Sequence, residues 1–80
     1  MKMVDWKQEA RKVGELFIAE MDEPDRYDVG FSTDGRRRFL SIYDKRECWT
    51  LLTLGATTYR ELYLAVQFAW DIHTMADRGH

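Results

Sequence analysis

Hydrophobic positions in the first quarter of the chain recur at the spacing of a helix face. The apolar residues that fall every three or four positions are Trp6, Ala10, Val13, Leu16, Phe17 and Met21. Asp5 stands just before this run and Gln8 lies three residues after Asp5, which is the arrangement of a capping box. Pro24 ends the helix because it disfavours the α conformation of the residue before it. We therefore predict a helix over residues 5–21.

The period of the pattern changes to two after Pro24, which predicts strands. Over residues 27–33, large side chains alternate with small or acidic ones, as in a strand with one solvated face. Asp34-Gly35 then supplies the positive φ angles of a type I′ turn. A return strand over residues 37–43 and a third strand over residues 47–54 follow, with a polar turn between them.

The last segment, residues 58–77, carries apolar side chains around most of a helical circumference. Thr58 and Glu61 form a second capping box at its start, after Gly55 has broken the third strand. At about 100° per residue, only a narrow polar stripe remains, made of Arg60, Gln67, Asp71, Thr74 and Arg78. An ordinary surface helix buries a narrower apolar stripe than this one. The surplus predicts cover from other elements, from a second subunit or from a binding partner.

The resulting element order is α-β-β-β-α, which places the chain in the α+β class. One compact arrangement is a three-stranded antiparallel meander with both helices packed on one face of the sheet. The alternative arrangement lays one helix on each face. Since 80 residues provide one hydrophobic core, we expect a single domain over residues 1–80.

The apolar surplus of the last helix favours a function in protein binding rather than in catalysis. Aromatic and methionine side chains supply large contact areas that adapt to a partner. We expect a non-catalytic protein-protein interaction module that forms a homodimer, binds another protein, or does both, with the outer sheet face contributing to the contact. The candidate partner-binding residues are Tyr63, Leu64, Phe68, Trp70 and Met75.

Charge is segregated along the chain, although the net charge is only −2. Residues 20–28 are rich in acids and residues 36–46 are rich in bases, so two oppositely charged poles are expected. Such poles favour antiparallel self-association or a charged partner; solvated loops are the other interpretation. The basic segment also suggests an alternative function, the binding of duplex RNA or DNA through phosphate contacts. Its candidate residues are Arg36, Arg37, Arg38, Lys45 and Arg46.

Few residues suit catalysis, cofactor binding or metal binding. The single cysteine, Cys48, and His73 offer one catalytic alternative as a pair, and beyond it we expect no enzyme activity, no cofactor and no metal site. A lone cysteine suits a reducing compartment. No run of about 18 uncharged apolar residues occurs in the chain. We therefore expect a cytoplasmic protein without a membrane partner.

Two resemblances add to these expectations. The element order, a Pro-x-x-Tyr motif at residues 24–27 and Gly55 before the second helix resemble the double-stranded-RNA-binding domain. That resemblance implies a sheet carrying two helices, with RNA contacts at residues 57–61, where this chain has Thr-Thr-Tyr-Arg-Glu in place of the family's lysines. Residues 55–63 are similar to a pattern in short proteins of phages and mobile elements. This second resemblance implies an accessory or inhibitory protein that binds a host protein.

Overall fold

The computed structural model describes residues 3–78, and these form two helices and three strands. Helix α1 spans Trp6–Ala19 and helix α2 spans Tyr59–Arg78. Between them lie strands β1 (Tyr27–Asp34), β2 (Arg37–Asp44) and β3 (Trp49–Ala56), with a short 3₁₀ turn at Pro24–Arg26. The α-β-β-β-α order and the α+β class are confirmed. The domain expected over residues 1–80 also includes terminal residues that lie outside the described range.

The three strands form an antiparallel meander with β2 at its centre. The ladder between β2 and β3 is interrupted by one irregularity after Ile42. β3 begins at Trp49, two residues later than the sequence pattern suggested, because Cys48 still belongs to the preceding turn. Cys48 has a φ of 57°, and its N–H donates to the carbonyl of Asp44 at 2.9 Å. This left-handed residue closes the turn and redirects the chain into β3.

The turn between β1 and β2 differs from the predicted type. Asp34 pairs with Arg37, so the two loop residues are Gly35 and Arg36 rather than Asp34 and Gly35. Gly35 has a φ of 62°, whereas Arg36 is not among the residues with positive φ. A positive φ at the first loop position alone is the pattern of a type II′ turn. The expectation of a type I′ turn was therefore wrong, although the glycine is required for the same steric reason.

Both helices begin at the residues that the capping pattern indicated. The Asp5 side chain accepts the N–H of Gln8 at 3.1 Å, and the Thr58 hydroxyl accepts the N–H of Glu61 at 3.1 Å. Each bond satisfies a backbone donor that the first turn of a helix leaves without an intrahelical partner. α1 ends at Ala19, two residues before the predicted end.

The helices lie side by side on the same face of the sheet and run parallel. Trp6 contacts Tyr63 near the start of both helices, and Phe17 contacts Trp70 further along both. α1 packs on β1 and β2, while α2 packs on β3 and β2. The arrangement with one helix on each face is therefore excluded.

The core lies between this helix pair and the sheet. Its buried apolar residues are Ala10, Val13, Ile18, Val29, Leu40, Ile42, Leu62 and Val66. Ile42 stands opposite Val29 on one neighbouring strand and opposite Leu52 on the other, so all three point to the helix side. Leu52 and Leu54 complete the core from β3.

Candidate interaction surface

The outward side of α2 carries a row of large apolar side chains that face solvent. The members of this row, named the α2 stripe, are Leu64, Phe68, Ile72 and Met75, which are 51%, 67%, 52% and 68% exposed. Their spacing of three or four residues puts them on one side of the helix. Leu62 and Val66 are completely buried on the other side. The apolar surplus of this helix thus remains partly uncovered in the single chain.

The α2 stripe lies on the flank of α2 that is turned away from α1. Tyr63 and Trp70 contact α1, and the centre of the stripe lies roughly 150° around the helix from them at about 100° per residue. Because α1 covers β1 and α2 covers β3, this flank is on the side of β3. Trp49 and Leu51 of β3 are also exposed.

Two of the predicted partner-binding residues are occupied within the chain. The ring of Tyr63 lies 5.3 Å from that of Trp6, and the ring of Trp70 lies 5.0 Å from that of Phe17 in an edge-to-face arrangement. Both residues pack against the core. Leu64, Phe68 and Met75 remain on the candidate surface, and Ile72 joins them. The position of Ile72 next to Phe68 on the helical circumference was the signal that could have identified it.

The sheet face away from the helices is less apolar than the sequence suggested. Phe39 and Tyr43 are half-buried there because their rings lie over glycines. A Cβ added at Gly55 would be 2.8 Å from the Phe39 ring, and one added at Gly30 would be 3.1 Å from the Tyr43 ring. The exposed positions of this face include the polar residues Ser32, Asp34, Arg37 and Thr53. We therefore leave the outer sheet face out of the candidate surface.

The candidate nucleic-acid-binding residues fall in two groups at opposite ends of β2. Arg36, Arg37 and Arg38 lie at the hairpin, and Lys45 and Arg46 lie in the turn to β3. The eight residues of the strand separate the groups by roughly 25 Å at about 3.4 Å per residue. The fold therefore does not unite them in one patch. Arg46 lies among acids instead, with Nη2 3.7 Å from the Glu23 carboxylate.

Basic residues from both helices gather near the hairpin instead. Lys7 Nζ lies 5.4 Å from the centre of the Phe31 ring and 5.6 Å from that of Tyr59. The guanidinium of Arg38 lies 5.1 Å from the same Tyr59 ring. We name this region the basic end, and its members are Lys7, Arg11, Arg36, Arg37, Arg38 and Arg60. Lys7, Arg11 and Arg60 were missed because they are distant in sequence from the arginine run.

The opposite end of the molecule is organised by a buried aspartate. The carboxylate of Asp44 accepts the backbone N–H groups of Arg46 and Glu47 at 2.9 and 3.1 Å. Arg26 binds the same carboxylate and also lies 3.2 Å from Glu23. The hydrogen bond to Asp44, followed by the bond to Glu23, raises the pKa of the Arg26 guanidinium above its usual value, against the effect of burial.

The two residues of the catalytic alternative have different partners. The thiol of Cys48 points to the carbonyl of Lys45 at 3.8 Å. His73 Nε2 lies 2.6 Å from the Glu20 carboxylate, and its ring packs on Phe17 and Trp70. Within residues 3–78, no group of three His, Cys, Asp or Glu side chains converges in a way that could hold a metal ion. Neither helix of that range combines the length and the apolar character needed to cross a membrane.

No family model, no curated protein and no solved structure matches the chain. Its function is therefore inferred from the surfaces described above.

Proposed function

We propose that this protein is a non-catalytic interaction module that binds a protein surface through the α2 stripe. The observation that supports the proposal is the exposure of Phe68 and Met75, 67% and 68%, on the side of α2 that faces away from the core. Isolated exposed apolar residues are common on protein surfaces. A contiguous row of four on one helix is characteristic of a contact surface.

Covering the α2 stripe would supply a large share of a binding free energy. Complete burial of a fully exposed large apolar side chain contributes roughly 1.5 to 3 kcal/mol, so each stripe side chain, at 51% to 68% exposure, would contribute about 1 to 2 kcal/mol. Burial of the four side chains would offset much of the cost of association, which is about 4 to 15 kcal/mol. Because the stripe is part of a helix packed on the core, its shape is set before binding, which keeps the ordering cost low.

The surroundings of the stripe also suit a protein contact. Exposed charged residues border it, with Glu61 toward the start of α2 and Asp71 on the flank nearer α1. An apolar centre with a polar rim is the usual anatomy of a protein interface. Met75 adds a flexible thioether that adapts to the shape of a partner.

The biological role that we propose is that of a phage or mobile-element accessory protein that acts in the cytoplasm. Inhibition of a host protein by occupying its surface requires binding alone and no catalytic group. The similarity of residues 55–63 to such proteins supports this role, and the α2 stripe begins within the helix that those residues initiate.

The test compares two substitutions that each place one charge on an exposed apolar helix position. Phe68→Glu alters the stripe, and Leu16→Glu on α1 is the matched control because Leu16 is also exposed, at 45%. We expect immobilised wild-type chain and Leu16→Glu to retain the same host proteins. Phe68→Glu should lose them. Circular dichroism checks that both variants are folded. Equal retention of every partner by both variants would contradict the proposal.

A second candidate function, the binding of duplex RNA or DNA, is favoured by the basic end. Lys7, Arg11 and Arg60 add three charges to the hairpin arginines, and phosphate binding draws on several dispersed bases of this kind. Part of that charge is already engaged, since Arg38 donates to the Thr57 carbonyl at 2.7 Å and Arg11 to the Val29 carbonyl at 3.1 Å. We therefore rank this function below protein binding.

A further inference from the structure

The two outer edges of the sheet differ in whether side chains cover their backbone groups. On β1, the N–H of Val29 donates to the Asp28 side chain at 2.8 Å, and the carbonyl of Val29 accepts from Arg11 at 3.1 Å. Side chains that occupy an edge in this way prevent pairing with another strand. Between residues 3 and 78, no side chain hydrogen-bonds to the backbone of β3. β3 is therefore the open edge of the sheet.

The composition of β3 suits pairing as well. Its sequence, WTLLTLGA, contains no charged residue and no proline. Long uncharged edge strands are templates for a further strand, and natural proteins normally interrupt them with a lysine or a proline. β1, in contrast, carries two aspartates within eight residues.

The ladder pattern identifies which backbone groups of β3 face the open edge. Val29 directs its N–H and C=O groups to the β1 edge, as its bonds to Asp28 and Arg11 demonstrate. In an antiparallel sheet its neighbour on β2, Ile42, then faces β3 and bonds with Leu52. Alternation beyond Leu52 leaves the N–H and C=O groups of Thr53 and Gly55 directed outward.

We propose that the partner of this edge is a second copy of the chain, with the two β3 strands paired antiparallel and the two α2 stripes packed against each other. The result is a six-stranded sheet with four helices on one face. This inference rests on the proposed function, because it names a second copy as a partner of the α2 stripe. A host protein would bind the same stripe in competition with that copy.

One two-fold axis, perpendicular to the sheet and beside β3, brings both contacts together. Neighbouring strands lie about 4.8 Å apart, and α2 lies across β3 and β2. Each α2 is therefore about 5 Å from the axis, and the two helices are about 10 Å apart, which is a normal distance for packed helices. The flank turned away from α1, which carries Phe68 and Ile72, then faces its copy.

Charge favours the antiparallel arrangement. It sets the basic end of one copy beside the opposite end of the other, where the exposed acids outnumber the exposed bases. The acids are Asp22, Glu23, Asp25 and Glu47, and the bases are Lys45 and Arg46. A parallel arrangement would put the two basic ends together. Complementary ends favour the correct encounter over the alternative orientation.

The first experiment measures molar mass by light scattering after size exclusion. Wild-type chain and Leu16→Glu are expected at twice 9.6 kDa, and Phe68→Glu at the mass of one chain with an unchanged circular dichroism spectrum. Met75→Glu is a second stripe variant with the same expected result. Wild-type chain that stays monomeric would overturn the inference.

A second experiment separates strand pairing from a contact of the helices alone. Thr53→Pro removes an N–H that faces outward, so it breaks no bond within the sheet of one chain. Thr53→Ala is its matched control, because both variants lose the 3.2 Å hydrogen bond with Ser41 and only proline loses the N–H. We expect Thr53→Pro to be monomeric and Thr53→Ala to be dimeric. A dimeric Thr53→Pro would overturn the strand pairing.

Hydrogen exchange supplies a readout on the wild-type chain itself. The amides of Thr53 and Gly55 should exchange at least about tenfold more slowly in the wild type than in Phe68→Glu, because pairing protects them. Equal rates would contradict the paired edge. A monomeric wild type whose host partners are still lost on Phe68→Glu substitution would remove self-pairing and leave the proposed function intact. If Phe68→Glu keeps both the host partners and the dimer, the self-pairing and the proposed function are both contradicted.

Discussion

Arg26 and Asp44 form a two-point ion pair that joins the loop after α1 to the end of β2. Arg26 Nη2 lies 2.6 Å from Asp44 Oδ2, and Arg26 Nε lies 2.9 Å from Asp44 Oδ1. Asp44 is 1% exposed. The bond with Arg26 is the main cause that holds the pKa of the Asp44 carboxyl well below its usual range; burial opposes it, and two backbone N–H groups assist it.

Acidification should remove the stabilisation that this pair provides. Because the pKa of Asp44 is lower in the folded chain, its contribution is complete above the ordinary aspartate pKa of about 3.9 and is lost as the pH falls toward the folded value. Asp44→Asn has no such contribution to lose. We therefore expect the difference in free energy of unfolding between wild type and Asp44→Asn, measured with urea, to shrink from about pH 5 to about pH 2.

The control for the acid experiment is Asp25→Asn, since Asp25 is an exposed residue of the same loop. Its difference from the wild type should stay small over the same pH range. A wild-type advantage over Asp44→Asn that does not change with pH would contradict the role given to this carboxylate.

Removal of the aromatic ring should destabilise the chain at one position of α2 and have little effect at another. Trp70 packs on Phe17 and on the core, so Trp70→Ala should lower the free energy of unfolding by roughly 3 kcal/mol. Phe68 is mostly exposed, and Phe68→Ala should change it by less than about 0.5 kcal/mol in the monomer. Urea unfolding at concentrations where light scattering gives a single chain checks both values. A large loss for Phe68→Ala would place that ring in the core and remove it from the stripe.

Local pattern was sufficient to predict the elements of this fold. The capping residues Asp5 and Thr58 were identified because they act on N–H groups only three residues away. The period of two after Pro24 identified the strands because it too is a pattern among neighbouring residues. The turn type was missed because Asp34-Gly35 and Gly35-Arg36 are equally plausible loop pairs until the register of the strands is known.

The candidate surface could not be predicted fully from the sequence, because it depends on tertiary contacts that residue spacing does not reveal. Tyr63 and Trp70 lie on one flank of α2 and the stripe lies on another, and only the position of α1 decides which flank is covered. The basic end shows the same limit, because the parallel packing of two helices brings Lys7 and Arg60 to the same end of the molecule. The sequence pattern predicts only an ordinary polar turn at Asp44, because the burial of this residue depends on Arg26 from a distant loop.

Gly14 marks a close approach of α1 to β1. A Cβ at this position would lie 2.9 Å from Cγ2 of Val29, and the β-branched valine side chain has little freedom to move. Gly14→Ala normally stabilises a helix by up to about 1 kcal/mol, but here we expect it to destabilise the chain. In a Val29→Ala background the same substitution should stabilise it. A double-mutant cycle by urea unfolding checks whether the effect of Gly14→Ala on the free energy of unfolding changes sign between the two backgrounds. Stabilisation in both backgrounds would show that the helix and strand are not in such close contact.

The basic end can be tested as a phosphate-binding surface with two matched double variants. Arg36→Gln with Arg37→Gln removes two charges at the hairpin, and Lys45→Gln with Arg46→Gln removes two charges at the other end of β2. If duplex RNA binds the basic end, the first pair should weaken binding and lower the slope of log affinity against log salt by about 2, because each phosphate contact releases about one counterion. The second pair should leave the slope unchanged. Fluorescence anisotropy with a labelled duplex gives both the affinity and the salt slope.

Equal losses of affinity in the two double variants would indicate a general effect of charge. A wild-type chain that does not bind the duplex at about 0.15 M salt would remove nucleic-acid binding as a candidate function.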